Sequence, residues 1–138
     1  MDRQQIAEKY FAAFYNANHA EKAGTIVEAL VAPDFADYSP QFGAPPDKQG
    51  FKQTVGLINS AFRQHYCVEH LIIENNSFAG VWNAEATHIG EFMGVPPTHK
   101  VFRVSGITIY KIIDDKIKAH WEQFDVVAIL RALGILRG

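Results

Sequence analysis

The stretch VFRVSGITIYKIIDDKIKAHWEQF, residues 101–124, decides the fold of this chain. β-Branched and aromatic residues fill both of its halves, and such residues favour β-strands. Asp114 and Asp115 separate the halves and are typical of a tight turn. We therefore predict two strands, Val101 to Ile113 and Lys116 to Phe124, that pair in a hairpin.

Two more strands are predicted upstream of this hairpin. They cover Cys67 to Glu74 and Ala79 to Met93, with the turn formers Asn75 and Asn76 between them. Because hairpins join antiparallel strands, we predict antiparallel pairing throughout the sheet. Cys67 is the single cysteine, so it cannot form an internal disulfide, and its apolar neighbours predict a buried thiol.

The first half of the chain has the pattern of helices. Ile6, Tyr10 and Phe14 recur every fourth residue, which predicts an amphipathic helix over residues 2 to 18 with Asp2 as its N-cap. Three more helices are predicted at Glu21 to Val31, about Asp47 to Arg63, and Asp125 to Leu133. The proline-rich stretch Phe35 to Pro46 is predicted to be a loop.

Helices first and hairpin-linked strands afterwards favour an α+β fold with the helices on one side of the sheet. A length of 138 residues with 48% apolar residues suits a single domain over residues 1–138. Residues 101 to 113 show no consistently polar face, so both faces of that strand should be covered. The helices can cover one face well, and we expect a second copy to cover the other in a homodimer.

Composition and charge exclude several classes of function. The formal net charge is -2 and no basic stripe is present, so nucleic acid is not an expected partner. Residues 1–5 are polar and no apolar run reaches membrane-spanning length, so we expect no membrane association and a cytoplasmic protein. His65, Glu69 and His70 lack the spacing of a known metal site, and no metal is expected.

The segment Thr87 to Lys100, THIGEFMGVPPTHK, resembles the motif THxGxFxGxPPTGK of the SnoaL-like polyketide cyclases, which belong to the nuclear-transport-factor-2-like superfamily. The resemblance covers nearly the whole chain. It includes 35–40, 50–51, 105–110, 117–125 and 128–134.

The resemblance implies a cystatin-like or nuclear-transport-factor-2-like roll, in which a curved antiparallel sheet and N-terminal helices form a cone-shaped pocket for a small apolar molecule. Family cyclases close a polyketide ring by intramolecular aldol condensation with pocket Asp and His side chains and no cofactor. An apolar wall raises the pKa of a buried carboxyl group, which can then move protons near neutral pH. If the family's aspartate has a counterpart here, it is His120 or Glu122.

Three positions depart from the family pattern. His99 and Asp115 replace glycines at turns, so both residues have to tolerate a positive φ angle if the turns are kept. Tyr38 stands where many relatives carry histidine, which changes a polar group that can line the pocket.

The candidate catalytic residues lie on two predicted strands. His120 and Glu122 are two residues apart and share a face, so they are a candidate acid/base pair; a solvated edge or a salt bridge between subunits is the alternative. His88 in the THxGxF motif is a third catalytic candidate, or a core histidine bonded to its neighbours. Asp125 is better explained as an N-cap than as a catalytic acid.

The candidate substrate-binding residues are aromatic or carry a hydroxyl. Tyr38 can hold an enolate oxygen or anchor its loop, and Thr108 can orient a ligand carbonyl or simply suit a strand. Aromatic rings supply core and pocket wall. We expect these rings at Trp82, Phe92, Phe102 and Tyr110.

Three functional hypotheses follow. The first is a cofactor-free enzyme of the cyclase or isomerase type that does acid/base chemistry on a small apolar carbonyl substrate. The second is a non-catalytic small-molecule-binding protein of the same fold, and the third is a scaffold domain without a cavity. The sequence ranks them in that order and does not identify the substrate.

Overall fold

The computed structural model describes residues 1–136. Its elements follow in chain order: α1 Arg3–Ala7, a π-helical turn Glu8–Ala12, α2 Ala13–Tyr15, α3 Ala20–Leu30, β1 Val31–Asp37, α4 Lys48–Ala61, β2 Phe62–Glu74, β3 Ser77–His88, β4 Val101–Ile113, β5 Lys116–Phe124 and α5 Val126–Ala132. Within this range, no helix has both the length and the hydropathy needed to cross a bilayer.

The fold is α+β, as predicted, with a curved and unclosed sheet of five strands in the order β1-β5-β4-β3-β2. The hairpin strands β4 and β5 have the predicted bounds. β2 begins five residues earlier than predicted, at Phe62. β3 ends at His88 rather than Met93, because the backbone N–H groups of Ile89 and Gly90 turn away to bond the carbonyl of Ala61 at 2.8 and 3.0 Å.

Two predictions were wrong: residues 35–37 belong to β1 rather than to a loop, although residues 38–46 are a loop as predicted, and not every pairing is antiparallel. β1 runs to Asp37 and pairs in parallel with β5, with Ala36 opposite Ala119 and Asp37 opposite His120. Pro33 lies in the irregular part of β1, and an edge strand tolerates proline because one side of its backbone needs no partner. A proline in this segment therefore did not prevent it from forming an edge strand.

The N-terminal helix begins as predicted. Asp2 accepts the backbone N–H of Gln5 at 2.8 Å, and the Gln5 side chain accepts the N–H of Asp2 in return. The π-helical turn directs Tyr10 and Phe11 into the core, where Phe14 joins them. This helix, α3 and α4 cover the inner face of the sheet, whereas its outer face is turned away from them.

The unusual turn residues behave as the sequence predicts. His99 and Asp115 both have φ of 61°, so each occupies the left-handed region without being glycine. Asp125 caps α5 by accepting the N–H of Ala128 at 3.2 Å, and Gly134 follows α5 with a φ of 74°.

Two asparagines cover the edge of the sheet at β2. Asn16 Oδ1 accepts the N–H of Tyr66 at 2.7 Å, and Asn16 Nδ2 donates to the Tyr66 carbonyl at 2.8 Å. Asn18 makes the same two bonds to Gln64 at 2.7 and 3.3 Å. These amides occupy backbone groups that an edge strand otherwise leaves open.

The outer face of the sheet is partly apolar. Ile72, Ala79, Ile109 and Trp121 occupy one register row across four strands, and Ile72 and Trp121 are 65% and 40% exposed. Cys67 is also exposed, so the prediction of a buried thiol was wrong. Successive side chains of a strand alternate between faces, and Cys67 points outward because its neighbour Tyr66 points into the core.

Candidate functional site

An open, largely apolar cavity lies between the inner face of the sheet and the helices. Its empty volume is about 530 Å³, counted out to the open mouth. Its wall consists of Tyr15, Gln41, Phe42, Thr54, Ile58, Phe62, Gln64, Tyr66, Trp82, Ala86, Phe102, Val104, Glu122, Phe124 and Ile129. Glu122 is the one carboxylate in this wall, and no Lys, Arg or His is among these lining residues.

His120 lies directly behind Glu122 and is joined to Asp37. The parallel pairing of β1 with β5 sets Asp37 opposite His120, and Asp37 Oδ1 lies 2.9 Å from His120 Nδ1. Both side chains are almost completely buried. The imidazole packs against the rings of Phe51 and Tyr110, with centroids 5.2 and 5.4 Å away.

The charge state of His120 follows from its neighbours. Burial opposes the charged form, but the hydrogen bond with Asp37 and the nearby carboxylate of Glu122 outweigh burial and raise the pKa of His120 from 6.5 to about 9. His120 is therefore an imidazolium near neutral pH. Its Nε2 lies 3.7 Å from Glu122 Oε2, which is an ion-pair distance.

Glu122 is held by one of its two carboxylate oxygens. Oε2 accepts the hydroxyl of Thr108 at 2.6 Å, and Thr108 Oγ1 accepts the indole N–H of Trp82 at 2.9 Å. Because the indole can only donate, the hydroxyl proton of Thr108 is directed at Glu122. Within residues 1–136, Glu122 Oε1 has no hydrogen-bond partner and stays available to a ligand.

The segment that follows β1 fixes this arrangement from the other side. Ser39 Oγ accepts the backbone N–H of Glu122 at 2.9 Å, and the N–H of Ser39 donates to Asp37 Oδ1 at 2.9 Å. The N–H of Tyr38 donates to the carbonyl of His120 at 2.9 Å. Residues 37–39 therefore continue along β5 and set the positions of both Asp37 and Glu122.

Two phenols stand in the cavity wall near Glu122. Tyr15 stacks on Tyr66 with ring centroids 5.1 Å apart. Burial raises the pKa of Tyr15, and the charge of Glu122 adds to the rise; burial also raises the pKa of Tyr66, with smaller increases from Tyr110 and Glu122. Both phenols therefore stay protonated and act as hydrogen-bond donors.

Six of the nine predicted site residues line the cavity or pack around Glu122 and His120. Glu122, Trp82 and Phe102 line it. Thr108 and His120 lie behind the wall and reach the cavity through Glu122. Tyr110 is buried behind His120 and packs on its ring.

His88 is placed apart from this group. It is fully buried, its Nδ1 accepts the backbone N–H of Thr98 at 3.1 Å, and the same nitrogen lies 3.0 Å from Thr98 Oγ1. Its ring packs against Phe62 at 5.5 Å and is not part of the cavity wall. The contacts are those of a core histidine that holds the segment after β3.

Tyr38 and Phe92 are also placed away from the cavity. Tyr38 is 63% exposed and stacks on Trp121 of the outer face, with centroids 4.9 Å apart and planes 5° from parallel. Phe92 is fully buried and contacts Phe42 and Phe62, at 5.3 and 5.1 Å, from behind the wall.

Several important residues did not emerge from the sequence. Asp37 was assigned to a loop, although its place in the family-like segment Phe35 to Pro40 was a usable signal. Tyr15 lies in the predicted N-terminal helix, where the sequence assigns it no role at a site. Gln64 and Tyr66 lie between a predicted helix and a predicted strand, so the sequence does not direct either side chain toward a cavity. Among residues 1–136, no cluster of His, Cys, Asp and Glu is arranged to hold a metal ion.

A curved sheet wrapped by N-terminal helices around an apolar cavity defines a nuclear-transport-factor-2-like protein. The sequence model of the SnoaL-like polyketide cyclases matches residues 5–133, and the chain belongs to that family.

Relatives and solved structures agree with this assignment. The chain is 27% identical over 114 residues to nogalonic acid methyl ester cyclase of Streptomyces nogalater, covering 78% of this chain and 83% of that protein. It is 23% identical over 134 residues to aklanonic acid methyl ester cyclase DauD of Streptomyces sp. strain C5, covering 94% and 80%. The structure of TsrD from Streptomyces laurentii superposes with a TM-score of 0.76 at 21% identity, covering 99% of both chains.

Proposed function

We propose that the protein is a cofactor-free cyclase that closes a ring in an apolar, polyketide-like carbonyl compound by acid/base chemistry. The observation that carries the proposal is the Glu122 carboxylate in an otherwise apolar wall, with Oε2 fixed by Thr108 and Oε1 open to the cavity. Two relatives are named as cyclases of nogalonic acid methyl ester and of aklanonic acid methyl ester, which supports an ester of this kind as the substrate.

In the proposed reaction, Glu122 removes a proton from the carbon next to a substrate carbonyl. The electron pair of that C–H bond forms an enolate, whose carbon attacks a second carbonyl of the same molecule. A C–C bond forms and the π bond of the second carbonyl breaks to give an alkoxide. The proton held by Glu122 returns to the alkoxide, so the reaction is an isomerisation that consumes no other reagent.

Tyr15 and Tyr66 are suited to stabilise the enolate. They face the cavity as protonated phenols, and donors fixed before the reaction stabilise a developing oxyanion more than mobile water does. The His120 imidazolium provides the counter-charge to Glu122. Asp37 is a positioning residue in this scheme, because it acts on the substrate only through His120.

The first test replaces the proposed base. We expect Glu122→Gln to lower kcat on nogalonic acid methyl ester by roughly 10²- to 10⁴-fold, the usual contribution of a general base. Glu85→Gln is the matched control, because Glu85 is an exposed residue whose contact with Arg103 is 3.8 Å long. Thermal unfolding should leave both variants within a few degrees of the wild type. Equal turnover by Glu122→Gln and wild type would remove Glu122 from the mechanism.

A non-catalytic binding protein is the second candidate. It is favoured by two hydrogen bonds, one between His120 and Asp37 and one between Thr108 and Glu122 Oε2. Both bonds would also stabilise the fold of a protein that catalyses nothing. Tight binding of the ester without any product formed by the wild type would support this candidate.

We also propose that the protein is a homodimer that associates through the outer face of the sheet. The apolar row of Ile72, Ala79, Ile109 and Trp121, exposed at its two ends, supports this arrangement, and a charge within the row should disrupt it. Light scattering should give the mass of two chains for the wild type and of one chain for Trp121→Glu. A monomeric wild type at micromolar concentration would contradict the proposal.

A further inference from the structure

We infer that Gln64 is a ligand-binding residue, which donates a hydrogen bond to a neutral oxygen at the end of the ligand remote from Glu122. Nothing in the reaction described above uses Gln64. The inference rests on the proposed function only for the statement that the reacting end of the ligand lies at Glu122.

The side-chain amide of Gln64 lacks a partner inside the protein. Its Nε2 is buried and has no hydrogen-bond acceptor within residues 1–136. Three other buried polar atoms share this property: Asn59 Oδ1, His88 Nε2 and His120 Nε2. Of these four residues, only Gln64 belongs to the cavity wall. A buried donor without an acceptor is unfavourable, and an oxygen of a bound ligand would relieve that penalty.

Gln64 and Glu122 mark two different ends of the cavity. Gln64 shares a register row with Ala86 and Phe102, whereas Glu122 shares a row with Thr108. Phe102 and Thr108 are six residues apart on β4, which corresponds to at most about 20 Å along the strand. The wall between the two rows includes Trp82, Val104 and the phenol ring of Tyr66. This spacing suits an elongated, flat and largely apolar ligand with polar groups at its ends.

The position of Gln64 is fixed from outside the cavity. Asn18 bonds both the N–H and the carbonyl of Gln64, at 2.7 and 3.3 Å, and Asn18 adopts a φ of 55° to do so. The backbone is thereby held at the sheet edge while the side chain extends inward. A donor that is already in place loses little entropy when a ligand binds.

The charges of the wall determine which oxygen Gln64 can bind. Among residues 1–136, no cationic side chain lines the cavity, and Glu122 contributes a negative charge. A carboxylate would lose its hydration and find no counter-ion, whereas a ketone, quinone or ester oxygen needs only a donor. The ligand at Gln64 is therefore a neutral carbonyl oxygen, and a free acid should bind much more weakly than its methyl ester.

The test compares two probes of matched shape, acetylanthracene and ethylanthracene, each substituted on a terminal ring. We expect the wild type to bind acetylanthracene about fivefold to tenfold more tightly in fluorescence titrations, the effect of one neutral hydrogen bond. Gln64→Leu should bind both probes equally. Gln53→Leu is the matched control, because Gln53 is an exposed residue of α4, and it should keep the wild-type preference.

Glu122→Gln separates this inference from the proposed function. A preference kept in Glu122→Gln and lost in Gln64→Leu supports the inference, whether or not Glu122 proves to be the base. A preference that survives in Gln64→Leu, a wild type that binds both probes equally, or no binding of either probe would overturn it. Gln64→Met serves as the second variant if Gln64→Leu does not fold.

Discussion

His120 and His88 are both buried in the same sheet, yet their surroundings differ. His120 lies between the carboxylates of Asp37 and Glu122, and Glu122 lines the cavity. His88 contacts the backbone N–H and hydroxyl of Thr98 and the ring of Phe62, and it lies outside the cavity wall. Burial alone therefore does not distinguish His120, for which we propose a function, from His88. The charges of the neighbouring groups and the contact with a residue of the cavity wall distinguish the two.

Removing the charge of Asp37 should have the largest effect. We expect Asp37→Asn to lower the free energy of unfolding by about 3 to 5 kcal/mol, because the buried imidazolium loses its hydrogen-bonded counter-ion. Turnover should fall as well. Urea unfolding measures the first effect, with Asp34→Asn as the control on the same strand. Asp34 is exposed and pairs with Lys118 at 3.0 Å, so its loss should cost less than about 1 kcal/mol. Equal losses in the two variants would contradict the prediction.

The pH dependence of stability should separate the two histidines. The pKa of His120 is raised from 6.5 to about 9 in the folded protein. Its contribution is then complete below pH 6.5 and is lost as the pH rises through 9, a change on the order of 3 kcal/mol. Urea unfolding at a series of pH values should show this loss in the wild type and not in His120→Gln. The groups that titrate in both proteins cancel in the difference.

Replacing His88 should affect stability without affecting turnover. His88→Leu leaves the partly buried N–H of Thr98 without its acceptor, and we expect a loss of about 2 kcal/mol in unfolding free energy. The values of kcat and KM should stay within twofold of the wild type. A drop in kcat of tenfold or more would place His88 in the mechanism and end the contrast with His120.

Asp125 should give the smallest effect. It is a carboxylate close in sequence to Glu122, but it accepts the N–H of Ala128 at the start of α5. Asp125→Ala should lower the unfolding free energy by about 1 kcal/mol, the usual value of an N-cap, and leave turnover unchanged. Turnover comparable to that of Glu122→Gln would show that a second carboxylate takes part in the reaction.

The sequence predicted features that depend on local patterns. β4 and β5 have the predicted bounds because their composition and the turn between them are encoded in consecutive residues. The shared face of His120 and Glu122 follows from the two-residue period of a strand. The N-cap role of Asp125 follows from the helix that comes directly after it.

Features that depend on distant contacts were not predictable in the same way. Asp37 meets His120 across 83 residues of sequence, through a parallel pairing that no local pattern specifies. The three prolines between Phe35 and Pro46 favoured a loop, and the edge strand β1 was not predicted. The place of Gln64 in the cavity wall depends on the curvature of the sheet, and a single sequence does not report that curvature.

The side-chain amides of Asn16 and Asn18 bond the edge of β2 in the way that the backbone of a sixth strand would. An unprotected β-edge is a template for fibril-like growth between molecules. In this protein, the backbone N–H and C=O groups of Gln64 and Tyr66, which point away from the sheet edge, are already hydrogen-bonded. Two small side chains thereby block the addition of another strand at residues 64–66, while the side chains of Gln64 and Tyr66 still face the cavity.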